Sequence, residues 1–271
     1  MTLRLSRRRL LACAAVAAVP MPAYGAAPDS LPEGGKGIIG AVHDGDTIRL
    51  KDGDTDVRLV GIQAPKLPQG RRNPTAWPLA DESRGALRAL LEKHSITLRL
   101  ATTARDRNGR ILAHLVRDDG VWIQQTMLRE GWARVYTFPD NRLFAADLYA
   151  AETIARTARR GLWAHSDYAL RTPDPAALKS DIGSFQIVEG KVTDAARVRG
   201  RAYLNFGDDY RTDFTASIPP EVMRLFTAAI SRRRLWRIRR RRAAGFRPRI
   251  WRGFAAESSR WCAGPGGGMN C

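Results

Sequence analysis

Apolar and polar residues alternate in short bursts through the first part of the chain, then give way to helical spacing. Residues 37–43, 47–50 and 55–60 follow the two-residue period of half-buried strands. They are separated by the turn sequences Asp44-Gly45-Asp46 and Lys51-Asp52-Gly53-Asp54. A Pro- and Gly-rich loop over 65–78 precedes residues 80–93, where Ala86, Leu87, Leu90 and Leu91 recur at helical spacing. Residues 95–100 and 111–116 predict two more strands around a turn at 106–110. Residues 121–130, stopped by Gly131, and 142–159, closed by Gly161-Leu162-Trp163, predict two further helices. Strands joined by hairpin turns and followed by helices argue for an α+β fold built on a small antiparallel barrel.

The pattern changes after Tyr168. A linker over 167–184 carries Pro173 and Pro175, and residues 185–191, 201–206 and 212–218 alternate again as a small β-rich extension over 185–230. Its last helix is expected to run from Pro219-Pro220 to Phe226. Some 45 residues fall short of what usually supports a core alone, so this unit has to dock on the first domain or be incomplete.

Composition alters this picture at the two ends. The chain has 271 residues and a net charge of +18. Four arginines give residues 1–25 a charge of +4, the segment 231–271 carries +11, and residues 26–230 are left with +3. The body is therefore only mildly basic. Residues 1–25 join a charged start to an apolar run and a small-residue close, as in a signal peptide, so the mature protein is expected to be periplasmic or secreted. Ser6-Arg7-Arg8-Arg9 suits a twin-arginine signal as well as an ordinary Sec leader. Residues 231–271 form an arginine-rich tail, expected to be disordered. It reads either as a basic arm for nucleic acid or anionic lipid, or as the product of a frameshift. Cys13, Cys262 and Cys271 all lie in the leader or the tail, so no cysteine-based metal site or disulfide framework is expected in the body.

Four motifs stand in a specific order: Asp44-Gly45-Asp46-Thr47, then Arg58-Leu59-Val60-Gly61-Ile62-Gln63-Ala64-Pro65-Lys66, then Asp106-Arg107-Asn108-Gly109-Arg110, then Gly161-Leu162-Trp163. Together they resemble the staphylococcal nuclease (thermonuclease-like) family across about half of the chain. The resemblance implies a five-stranded OB-type β-barrel with three helices over 37–166. It also implies a calcium-dependent phosphodiesterase, an endonuclease of DNA and RNA; OB barrels often serve as single-strand binders, so single-stranded nucleic acid is the expected partner.

By motif position, Arg58 and Arg110 are the catalytic arginines, a role that suits a planar fork able to hold two phosphate oxygens and never losing its proton. Asp46 falls on a metal-binding aspartate and Asp44 on the acid that supports it. The second metal aspartate falls on Gln63, a neutral oxygen donor, and the catalytic glutamate falls on Lys66. An ammonium cannot act as a carboxylate base, but it adds to phosphate attraction. Tyr136 falls where the family places aromatic residues near the nucleotide.

Two functions follow from these substitutions. One is a nuclease with a weakened site, in which His43, Asp81 or Glu82 assists the water. The other is an OB module that binds nucleic acid or another phosphate ligand without cutting it. Elsewhere, Trp77 is a candidate for base stacking beside Arg71 and Arg72, and His114 reads as a core histidine.

Overall fold

The computed structural model describes residues 28–68, 75–182, 186–223 and 261–262. The expected leader at 1–25, Arg71, Arg72, the Phe226 end of the last helix and all of the tail except Trp261 and Cys262 lie outside the described residues.

Six strands make the main sheet: β1 (Glu33–Gly37), β2 (Ile39–Asp44), β3 (Thr47–Leu50), β4 (Asp56–Leu59), β6 (Ile96–Arg105) and β7 (Ile111–Arg117), in the order β1-β6-β7-β4-β3-β2. Only Ile38 separates β1 from β2, and its carbonyl still accepts a hydrogen bond from the Lys51 N–H at 2.9 Å. The two edges of the sheet therefore belong to one bent strand, and the sheet curls round as an OB-type α+β fold. The five expected strands are present, with the first continued back to Glu33. The pairing is antiparallel except for β4 against β7, which run parallel and set Val57 beside Ile111 and Arg58 beside Leu112.

Three helices cover the barrel. α1 (Ala80–Leu91) buries Ala80, Ser83, Leu87 and Leu91 along one stripe, and Asp81 and Glu82 in its first turn complement the helix dipole. α2 (Ile123–Arg129) ends before Gly131, whose φ of +78° is the left-handed conformation that glycine adopts without cost. α3 (Ala145–Thr157) follows β8 (Arg134–Tyr136), which pairs with the short β5 (Gly61–Gln63). Ile48, Leu59, Ile62, Leu98, Leu115, Trp122 and Met127 meet in one core; each fully buried Ile or Leu contributes about 1.5–3 kcal/mol.

Two buried polar side chains fix the helices to the strands. Gln124 accepts from the Leu115 N–H and donates to the Ala113 carbonyl, joining α2 to β7. Glu152 accepts from the Val135 N–H at 2.9 Å, joining α3 to β8. Both satisfy backbone groups that would otherwise be buried without partners.

The second unit differs from its sequence expectation. A short helix α4 (Pro175–Leu178) interrupts the stretch read as linker, and its N-cap Asp174 accepts from the Ala176 N–H. The expected first strand shrinks to β9 (Ile187–Val188). That strand docks on the first domain through backbone bonds to Arg171, the burial of Ile187 against Ala155 and Trp163, and an Arg156–Glu189 ion pair at 2.5 Å. An unforeseen strand β10 (Asp194–Val198) then joins β11 (Arg201–Asn205) and β12 (Thr215–Ile218) in a three-stranded sheet. The backbone of Trp261–Cys262 pairs with β9.

Candidate functional site

The Asp44-Gly45-Asp46 turn joins β2 to β3 and packs beneath the start of α1. A Cβ on Gly45 would fall 2.0 Å from Ser83 Oγ and 2.7 Å from Ala64 Cβ, so no larger residue fits there. Ser83 itself donates to the Trp132 carbonyl at 2.7 Å, which holds α1 in that position. The turn thus presses Asp46 inward until its side chain is fully buried.

Every oxygen of the two aspartates has a partner. Asp46 Oδ2 accepts from the Ala64 N–H at 2.6 Å. Asp46 Oδ1 accepts from the Thr47 hydroxyl at 3.1 Å, lies 3.0 Å from Arg58 Nη1 and touches Lys66 Nζ. Asp44 Oδ1 accepts from the Asp46 N–H at 2.9 Å, and Asp44 Oδ2 lies 2.7 Å from Lys66 Nζ. Burial alone would raise the Asp46 carboxyl, but the charges of Arg58 and Lys66 and the hydrogen bonds around it bring it down to about 2. Asp44 is raised, first by burial and then by the charge of Asp46, with Lys66 working against both.

Arg58 sits on β4 opposite Thr47 and is spent almost entirely within the protein. Its Nη1 donates to the carbonyls of Asp46 (3.1 Å) and Leu59 (2.7 Å), and its Nη2 to the Ile62 carbonyl (2.8 Å) and to Gln63 Oε1 (3.3 Å). Gln63 turns its oxygen toward Arg58, not toward the aspartates, and its Nε2 donates to the Ala64 carbonyl.

Arg110 lies just before β7. Ile111 and Leu112 pair with Val57 and Arg58, so the Arg110 backbone lies two positions along from Arg58 on the adjacent chain segment, a separation on the order of 8 Å from strand spacing and rise. Asp106 organises its turn: the carboxylate accepts from the backbone N–H groups of Asn108 and Arg110 and from Arg110 Nε at 2.7 Å. Those bonds outweigh burial and lower the Asp106 carboxyl.

Tyr136 stands on the β8 ribbon opposite Gly61, with Phe138 edge-on at 5.0 Å. It therefore shares the β5–β8 ribbon with Gln63. Of the candidates for assisting water, His43 and Asp81 are engaged elsewhere. His43 Nε2 is 3.0 Å from Asp56, Asp81 pairs with Arg84, and Glu82 is exposed where its charge acts on Tyr168. The Trp77 N–H donates to the Lys66 carbonyl at 2.8 Å, so this residue anchors the end of the loop. Two contributors went unread in the sequence. Thr47 was part of the motif but had no assigned role, and the Ala64 N–H belongs to the backbone, where side-chain identity gives no signal.

The donor set does not fit calcium, which takes about six to eight oxygen ligands. The four carboxylate oxygens are committed, and an ammonium stands between them. Among the described residues, His94, Asp118 and Asp119 also bring ligand-type atoms together. Asp118 and Asp119 are exposed and His94 is half-buried, and His94 already pairs with Asp118 and Arg117 with Asp119.

The chain is similar to known nucleases. The family described as staphylococcal nuclease homologue matches residues 56–165, from the start of β4 to the turn after Trp163. An uncharacterized endonuclease of Escherichia coli is 34% identical over 137 residues, which is 48% of this chain and 78% of that protein. Endonuclease YhcR of Bacillus subtilis is 28% identical over 156 residues, covering 54% of this chain and only 13% of YhcR. The probable staphylococcal-like nuclease CAN1 of rice is 34% identical over 110 residues, 41% of this chain and 29% of CAN1. With 34% identity to a relative most of whose length is covered, the chain belongs to the staphylococcal nuclease family.

Proposed function

We propose that this protein is an exported, slow phosphodiesterase that grips the backbone of single-stranded DNA or RNA with Arg110, in the fixed positive field of the buried Arg58. The observation that supports this reading is the parallel β4–β7 pairing, which brings Arg110 within two positions of Arg58, itself paired with the buried Asp46. Arg110 offers donors to the non-bridging phosphate oxygens and neutralises charge that grows at phosphorus as water attacks. Arg58, oriented by Asp46 and three carbonyls, supplies a fixed positive field at the same place.

With lysine at position 66, no carboxylate stands where the family's base would be. Loss of a positioned base removes roughly two to four orders of magnitude in rate, hence a slow enzyme. Metal dependence is general in the family, but calcium has no place at Asp46 while Lys66 holds both carboxylates.

The discriminating assay follows cleavage of single-stranded DNA and RNA by the full chain, with calcium and with chelator. Slow cleavage that Arg110→Ala abolishes supports the proposal. Retained nucleic-acid binding with no cleavage in any condition overturns it in favour of a binding module. Export is tested separately, by following the leader at 1–25 fused to a reporter.

A further inference from the structure

We infer that the Lys66 ammonium is the resident cation of this site, a tethered charge standing between Asp44 and Asp46 that holds the carboxylate frame together without dissolved metal. The inference deepens the phosphate-site reading and rests on it only for the assignment of Asp44 and Asp46 as the family's cation-side acids.

Position carries the first part of the argument. Lys66 Nζ lies 2.7 Å from Asp44 Oδ2 and in contact with Asp46 Oδ1, bridging two carboxylates that are 20 and 22 residues away in sequence. The side chain is only 14% exposed, so the ammonium is enclosed with them and does not sweep the surface. Its backbone is fixed by the Trp77 N–H, and Ala80 in turn donates to the Trp77 carbonyl, which ties the start of α1 to the loop that carries Lys66.

Charge carries the second part. Asp44 and Asp46 together bring two negative charges, and Arg58 and Lys66 bring two positive ones, so the enclosed set is neutral as it stands. Gln63 in place of an aspartate and Lys66 in place of a glutamate make the site three charge units more positive than the family's motif. That is ample to stand in for a divalent ion, and adding such an ion would leave an uncompensated buried charge. The two substitutions also fit one another. Gln63 retains an oxygen for Arg58 Nη2, so the guanidinium keeps its orientation, while contributing no charge that would call for a metal.

Calcium binding to the full chain, measured by titration calorimetry and by thermal unfolding in chelator and in calcium at matched ionic strength, tests the inference. The wild-type chain is expected to show no saturable calcium heat and the same Tm within about 1 °C, since an ion that does not bind the folded state cannot stabilise it. The double variant Gln63→Asp, Lys66→Glu is expected to gain saturable binding, with Tm rising by about 5–10 °C at a hundredfold excess over its dissociation constant. If that variant does not fold, Lys66→Met takes its place: its Tm should fall in chelator, while Lys66→Arg restores it without calcium. A saturable calcium shift in the wild type that Asp46→Asn removes overturns the inference, as does a Lys66→Met chain that unfolds like the wild type. Neither measurement contains nucleic acid, so an absence of cleavage would sink the phosphodiesterase proposal and leave this result standing.

Discussion

Arg58 on β4 and Arg110 in the turn before β7 carry the same chemical group, yet the protein treats them differently. The Arg58 side chain is 13% exposed and bound to four backbone or side-chain acceptors in addition to its ion pair with Asp46. Arg110 is 34% exposed and tied to Asp106, four residues away in its own turn. One guanidinium belongs as much to the fold as to the site. The other is held by a local turn and remains available to an incoming phosphate. The lesson is that a motif arginine can be conscripted as a strut, and that burial decides which one is.

The largest effect that separates them is on stability. Arg58→Ala leaves Asp46 buried with part of its compensation gone and should destabilise the fold by about 3–5 kcal/mol in denaturant unfolding. Equal destabilisation by Arg110→Ala would break the contrast. Acid unfolding gives the next effect, once His114 is separated out. That imidazole is packed edge-on against Trp122 and Phe144, and burial lowers it to about 4 from the ordinary 6.5. The unfolded chain takes up this proton first, so the contribution of His114 is complete above pH 6.5 and is lost as pH falls toward 4, by about 3 kcal/mol. Asp46, lowered to about 2 from 3.8, loses its contribution only below that window. Comparing His114→Leu with wild type should therefore flatten the unfolding profile between pH 6.5 and 4 and leave the steeper fall below it.

A smaller effect sharpens the strut reading. Arg58→Lys keeps the charge but cannot reach the Ile62 carbonyl, Gln63 and Asp46 together, and should cost about 1–3 kcal/mol. The smallest stability effect belongs to Arg110→Ala, below about 1 kcal/mol. That variant should instead reduce the salt dependence of nucleic-acid binding by about one phosphate contact in the logarithmic slope.

How much of this was legible depended on where each signal resides. The Asp-Gly-Asp-Thr turn, the three helices and the arginine positions announce themselves through spacing and turn chemistry. β1 does not: Glu33-Gly34-Gly35-Lys36-Gly37 shows no alternation and becomes a strand only because β6 offers it an edge. β10 is exposed at every position, so it has no periodic signal either. Its one local clue was the Arg199-Gly200 turn, where both residues have positive φ. Within the site, Lys66 was expected to attract phosphate, and its ammonium lies on Asp44 and Asp46 instead. That contact is made across a loop, and no residue spacing encodes which way a lysine stem folds back.

The bend at Ile38 has a consequence for how the protein comes to be folded. One bent strand supplies both ends of the barrel, so β2 can find β3 within a few residues while β1 must wait for β6, about sixty residues further along the chain. Pairings that distant form late, because the loop must close before any contact rewards it. A chain emerging in order would expose the edge of β1 throughout that interval. Glycines at three of its five positions, with Glu33 and Lys36 at the others, make that edge a poor template for stray strands while it waits.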